Sequence, residues 1–260
     1  MLDVVVRGEA TATHATPLLF VHGTSHGAWC WDEHFLGYFA EQGYRAAAVN
    51  LRGHGQSPVR TSIRRVSLAD FVEDLRETVG ALRGTPVLIG HSLGGFVIAR
   101  YMERYDVRGA VLAASAPPYG SWGTLSRGLR HHPGFMLKAI LRGKLGPDFS
   151  TPQLARSWFF SADLPDELVI RYAARFQEES DRALIDCLLH RPARARRSVP
   201  MLVLAAQHDF VFSPRATAAT ARAYGADWQL IPDLAHDVML DTRWRAAADA
   251  VRLWLERHRF

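Results

Sequence analysis

A serine, an aspartate and a histidine stand far apart in this chain, each where the surrounding residues suit acyl-transfer chemistry. Residues 86–95 read Pro-Val-Leu-Ile-Gly-His-Ser-Leu-Gly-Gly, an apolar strand running straight into Gly90-His91-Ser92-Leu93-Gly94 and then a helix-like stretch. A G-x-S-x-G turn between strand and helix forms a nucleophile elbow. The turn is tight enough to strain the serine backbone, and Gly90 and Gly94 leave room for the crossing strand and helix. The Ser92 hydroxyl then stands at a helix N-terminus, where backbone N–H groups and the helix dipole favour developing negative charge. On its own the motif also fits a serine that merely caps the helix. A nucleophile needs a base and an orienting acid.

Both partners follow in the order serine, acid, histidine. Residues 200–209, Pro-Met-Leu-Val-Leu-Ala-Ala-Gln-His-Asp, predict a buried parallel strand with Asp209 at its C-terminal lip. Residues 228–236 predict a last strand and a loop that delivers His236. In open parallel sheets, reactive groups gather at the carboxyl ends of strands. Ser92 would attack, His236 would accept its proton and later return one, and Asp209 would hold the imidazole tautomer. Asp209 also suits a cap for the helix beginning near Ser213-Pro214. Asp233 and Asp237 compete as the acid, but they share the loop of His236, whereas Asp209 follows a separate strand. His208 should point away from Asp209 by strand alternation.

Residues 17–24, Pro-Leu-Leu-Phe-Val-His-Gly-Thr, end an apolar strand in a turn. A tetrahedral intermediate carries an oxyanion that needs two preorganised N–H donors. The backbone amides of Thr24 and Leu93 are the candidates. His22 and His26 are spaced like metal ligands, but Gly23 breaks helical register and no third ligand is evident, so no metal site is expected.

These motifs together resemble the α/β-hydrolase superfamily of serine hydrolases, nearly end to end. His22-Gly-Thr-Ser-His-Gly-Ala-Trp-Cys-Trp31 is similar to the HG-x-x-HG-x-W-x-W segment of the plant methylesterase and hydroxynitrile lyase group. Asn50-Leu-Arg-Gly-His-Gly-Gln-Ser57 is similar to the DLRGHG-x-S turn of bacterial esterases and lysophospholipase-like enzymes, with Asn50 replacing the usual aspartate. The resemblance implies an α/β-hydrolase fold with a mostly parallel sheet flanked by helices, and a helical cap inserted after the sixth strand. It implies no cofactor. Haloalkane dehalogenases and epoxide hydrolases carry an aspartate at the elbow, unlike Ser92. Hydroxynitrile lyases usually replace the glycine equivalent to Gly23 and use a lid lysine. Here Gly23 is retained, and Lys138 and Lys144 fall in what reads as a surface-charged helix. Hydrolysis of a carboxylic ester is the favoured expectation; thioester, lactone or C–C bond hydrolysis and acyl transfer would use the same residues.

The elements that must position these groups alternate strand and helix. Strands are predicted at 2–7, 17–22, 45–50, 86–90, 108–114, 201–206 and 228–232. Helices are predicted at 67–83, 93–105, 214–224 and 243–258. The alternation stops at Ala116, and residues 117–197 read as the cap, dividing a core of 1–116 and 198–260. Pro117-Pro118-Tyr119-Gly120 opens this segment and Arg191-Pro192 lies near its close. Its apolar residues include Trp122, Phe135, Met136, Leu137, Tyr172 and Phe176. The bulky run Trp158-Phe159-Phe160, together with His91 beside the nucleophile, supplies the candidates for substrate contact. Several glycines, among them Gly143 and Gly146, suggest that its first half can move.

The 260 residues are 48% hydrophobic, enough for one domain with a full core. The net charge of +5 sits in the middle: residues 116–197 hold thirteen basic against eight acidic side chains, and the rest has eighteen of each. Without an aromatic platform or recognised module this does not indicate a nucleic-acid partner. A small-molecule acyl substrate is expected, while nothing indicates an oligomeric state. No run approaches a membrane span, and the start reads as a strand rather than a signal peptide. Cys30 and Cys187 are too few for a disulfide framework, so a cytoplasmic location is expected.

Overall fold

Short, mostly apolar runs dictate the centre of the molecule. In the computed structural model, which describes residues 1–60, 62–141, 149, 151–189 and 198–260, they form seven strands. These are β1 (Val4–Arg7), β2 (Leu18–Val21), β3 (Ala46–Val49), β4 (Val87–His91), β5 (Gly109–Ala113), β6 (Met201–Ala206) and β7 (Asp227–Ile231). The sheet order is β1-β3-β2-β4-β5-β6-β7, with β1 antiparallel to β3 and all other neighbours parallel. Every residue of β2 to β6 is buried, the pattern of strands covered on both faces. β7 lies at the edge and is exposed over its first four residues.

The helices are α1 (Trp29–Asp32), α2 (Phe35–Glu41), α3 (Leu68–Ala81), α4 (Leu93–Tyr101), α5 (Trp122–His131), α6 (Pro133–Leu141), α7 (Pro152–Phe159), α8 (Asp166–Ala173), α9 (Asp181–Leu189), α10 (Pro214–Tyr224) and α11 (Trp244–Arg257). All seven strands and the helices expected after Ser67, Ser92, Ser213 and Arg243 stand within a few residues of their predicted places. Ser67 begins α3 with a reciprocal capping box to Asp70, which explains that boundary. α1 and α2 were not foreseen. Phe35, Leu36 and Phe39, spaced as one helix face, bury α2 and could have revealed it.

Among the described residues, five helices, α5 to α9, fall between β5 and β6. They therefore follow the fifth strand, not the sixth: the apolar runs ahead of them form only β1 to β5 among the described residues. Within this segment Trp122 and Leu137 are exposed, while Phe159, Phe160 and Tyr172 are buried. Gly143, Lys144, Gly146, Arg191, Pro192 and the side chain of Lys138 lie outside the described residues.

Candidate active site

Strand β4 ends and α4 begins with no intervening loop, which forces Ser92 into φ 51° and ψ −116°. An L-residue pays for such a backbone unless its surroundings over-determine it. They do: the Ser92 N–H donates to the Ala113 carbonyl, and the Ser92 carbonyl accepts from the N–H groups of Phe96 and Ala116. The Ser92 side chain makes no capping bond to α4, so its hydroxyl is not spent on the helix.

Glycine is needed here for close approach. A Cβ on Gly94 would lie 2.4 Å from the Val21 carbonyl oxygen and 2.5 Å from that of His22. One on Gly23 would lie 2.7 Å from His91 Nδ1 and 2.9 Å from Ser92 Cβ. The end of β2 is thus pressed directly against the elbow. Gly94→Ala should destabilise the fold by about 2–3 kcal/mol, because backbone carbonyls cannot swing aside as side chains do. Urea unfolding measures this, and a midpoint equal to wild type would contradict the packing.

Asp209 follows β6 and His236 follows β7, on neighbouring parallel strands. His236 Nδ1 lies 3.0 Å from both Oδ1 and Oδ2 of Asp209. Asp209 Oδ1 also accepts from the N–H groups of Val211 (2.7 Å) and Phe212 (2.8 Å), which fixes the carboxylate. The helix-capping role that Asp209 could have filled belongs to Ser213. The loop of His236 is braced by Asp241, whose Oδ2 accepts from the Ala235 N–H and the Ser161 N–H. Asp233 and Asp237 do not pair with His236. Asp233 is exposed beside His208, whereas Asp237 lies 3.0 Å from His26 Nε2.

Ser92, Thr24 and His236 share one cavity of about 180 Å³. Its walls include Phe135, Met136, Trp158, Phe159 and Phe212, and His236 is the only titratable nitrogen or oxygen group among its described lining residues. Aromatic rings screen His236: Phe159 and Phe212 have centroids 5.8 and 5.6 Å from the imidazole. Cys187 also forms part of the wall. Phe160 does not; it packs 5.8 Å from Tyr172. His91 is outside the lining too. It is buried behind His236, with Nε2 2.9 Å from the His236 carbonyl, and burial followed by the neighbouring His236 pushes its pKa well down. A histidine so placed contacts the loop that carries His236.

Leu93 is the first residue of α4, and its N–H has no carbonyl one turn earlier to bond. Thr24 is held by its successors. Ser25, at φ 63°, donates its N–H to Glu179 Oε2 (3.0 Å) and accepts from the Gln177 N–H, both outside the core strands. Asn50 Oδ1 accepts from the Ala28 N–H at 2.7 Å while its Nδ2 donates to Asp3 Oδ2 at 2.8 Å. That pair accounts for the asparagine: an aspartate would place two carboxylates face to face. His22 and His26 do not converge on a common point. Leu51 N–H donates to His22 Nε2, and His22 Nδ1 faces the Gly23 carbonyl. Sequence reasoning missed the contact of His26 with Asp237 and that of Ser25 with Glu179, since neither pair has a local spacing to reveal it.

The chain matches the Alpha/beta hydrolase family over residues 18–250 and belongs to that family. Among individual proteins it is similar to "Probable esterase PIR7A" of Oryza sativa, 36% identical over 136 residues, which is 50% of this chain and 47% of that protein. It is also similar to a monoacylglycerol lipase of Mycolicibacterium smegmatis, 27% identical over 86% of this chain and 82% of that one. The chain spans about half the length of the first of these relatives. Its fold is shared by the structure of a thermophilic esterase from Thermogutta terrifontis, at 21% identity and a TM-score of 0.73, covering 100% of this chain and 94% of the other.

Proposed function

We propose that the protein hydrolyses a carboxylic ester of a hydrophobic small molecule through an acyl-enzyme on Ser92. The observation that carries this reading is the grip of Asp209 on His236 Nδ1 beside a strained serine in a shared apolar cavity. With Nδ1–H donating to the carboxylate, Nε2 keeps its lone pair and is the base for the Ser92 hydroxyl. Attack on the ester carbonyl forms a tetrahedral oxyanion, which the N–H groups of Thr24 and Leu93 stabilise, aided by the positive end of α4. The imidazolium then returns its proton to the departing alcohol. Water, activated by the same imidazole, releases the acid and restores Ser92.

Helices α5 to α9 act as a cap in this reading: Phe135, Met136, Trp158 and Phe159 come from them and cover the cavity. An acyl group or alcohol without charge suits such walls, since a buried charge there would lack a partner. The relatives named as an esterase and a monoacylglycerol lipase support ester cleavage over the other acyl reactions. A fluorophosphonate probe tests the reading. It should label wild type and fail to label Ser92→Ala; absence of wild-type labelling would reject Ser92 as the nucleophile. In a panel of esters, thioesters and lactones, turnover confined to thioesters or lactones would reject the ester assignment.

A further inference from the structure

Five histidines, His22, His26, His54, His91 and His236, are almost completely buried around the elbow. Hydrogen-bond partners settle the protons on two of them. His22 accepts at Nε2 and so carries its proton on Nδ1; His91 donates from Nε2 to the His236 carbonyl. His26 differs, because both of its nitrogens meet acceptors. Nδ1 lies 2.7 Å from the Thr24 carbonyl oxygen and Nε2 lies 3.0 Å from Asp237 Oδ2. A carbonyl cannot donate, so Nδ1 holds a proton. A neutral ring would then turn its remaining lone pair on the carboxylate, whereas a charged ring donates to both.

The surroundings agree with a charged ring. Burial opposes charge on His26, but the Asp237 carboxylate and the Thr24 carbonyl outweigh it and raise its pKa. Asp237 Oδ1 has no hydrogen-bond partner among the described residues, and His91 Nε2 is 3.8 Å away. The rings of Trp29, Phe159 and Phe176 pack on the imidazole and keep water from the pair.

The two partners of His26 belong to the two loops whose relative position matters most. Thr24 is the proposed oxyanion donor, and Asp237 directly follows His236. We propose that His26 is a positioning residue: as an imidazolium bridging the Thr24 carbonyl and the Asp237 carboxylate, it holds the oxyanion loop in register with the loop carrying His236. The inference rests on the hydrolase reading for its effect on rate. A buried ion pair is a costly way to gain stability but a good way to fix register, because alternatives leave a charge unpaired.

Asp237→Asn keeps the shape and one acceptor while removing the charge. Turnover of a chromogenic ester should fall by about 10²-fold, the usual cost of misplacing a catalytic group by an ångström, with KM little changed. Turnover within about twofold of wild type in a folded variant, or a change confined to KM, would overturn the proposal. Should the variant not fold, the wild-type protein still decides. In nitrogen-labelled histidine NMR at neutral pH, the His26 signals, assigned by their loss in His26→Gln, should show both ring nitrogens protonated. One unprotonated ring nitrogen would overturn the bridge. Fluorophosphonate labelling of wild type separates failure here from failure of the hydrolase reading.

Discussion

Ser92→Ala is expected to lower turnover on the order of 10⁴- to 10⁶-fold while leaving the fold intact, because in the proposed mechanism the missing hydroxyl forms the covalent bond, and it carries no structural load. The Ser92 side chain makes no bond to its own helix, and the hydrogen bonds that over-determine its backbone come from its N–H and carbonyl. Alanine at the same φ keeps these bonds. Turnover of a chromogenic ester and the thermal midpoint, measured together, check both halves. The residual rate should still exceed that in water, since the oxyanion donors survive the change. Retention of more than about a tenth of wild-type turnover would mean that another group attacks.

Asp209→Asn is expected to cost nearly as much, on the order of 10⁴-fold, through the tautomer rather than through lost packing. Asp209 Oδ1 already accepts two backbone N–H bonds, from Val211 and Phe212. An asparagine would keep its carbonyl oxygen toward those donors and turn its NH₂ toward His236 Nδ1. Nδ1 would then have to accept, the ring proton would move to Nε2, and Nε2 could no longer take a proton from Ser92. The fall in kcat/KM measures this. An asparagine variant within tenfold of wild type would show that the pairing with His236 does not govern the base.

The fold was legible because the signals that set it are local. Strands β2, β5 and β6 are unbroken apolar runs, β4 is one up to His91, and Ser67, Ser92 and Ser213 mark helix starts through caps or the elbow. α2 escaped because its buried face is carried by four residues inside a segment read for its loop motif. Ser92 and His236, which line the cavity, and Asp209, which pairs with His236, were legible for a different reason: each follows a strand, and parallel strands bring their ends together. What holds them was not. His26 reaches Asp237 across 211 positions of sequence, and Ser25 reaches Glu179 across 154. Such pairings arise from how loops fold over the sheet, which no periodicity encodes. The run Trp158-Phe159-Phe160 shows the same limit. Its first two members line the cavity, and the third, extended just past the end of α7, packs against Tyr172.

Cys187 in the cavity wall bears on which reagents this protein will notice. Burial, then the nearby Glu179 and Asp186 carboxylates, push its thiol well above the ordinary range, so the sulfur remains protonated. Sulfur attacks as thiolate and hardly at all as thiol. On the proposed mechanism an electrophile in the cavity therefore meets a spectator sulfur and an activated oxygen, and the choice between them is made by proton affinity rather than by proximity. Haloacetamides, which seek thiolates, should pass through unreacted where phosphonyl fluorides are captured.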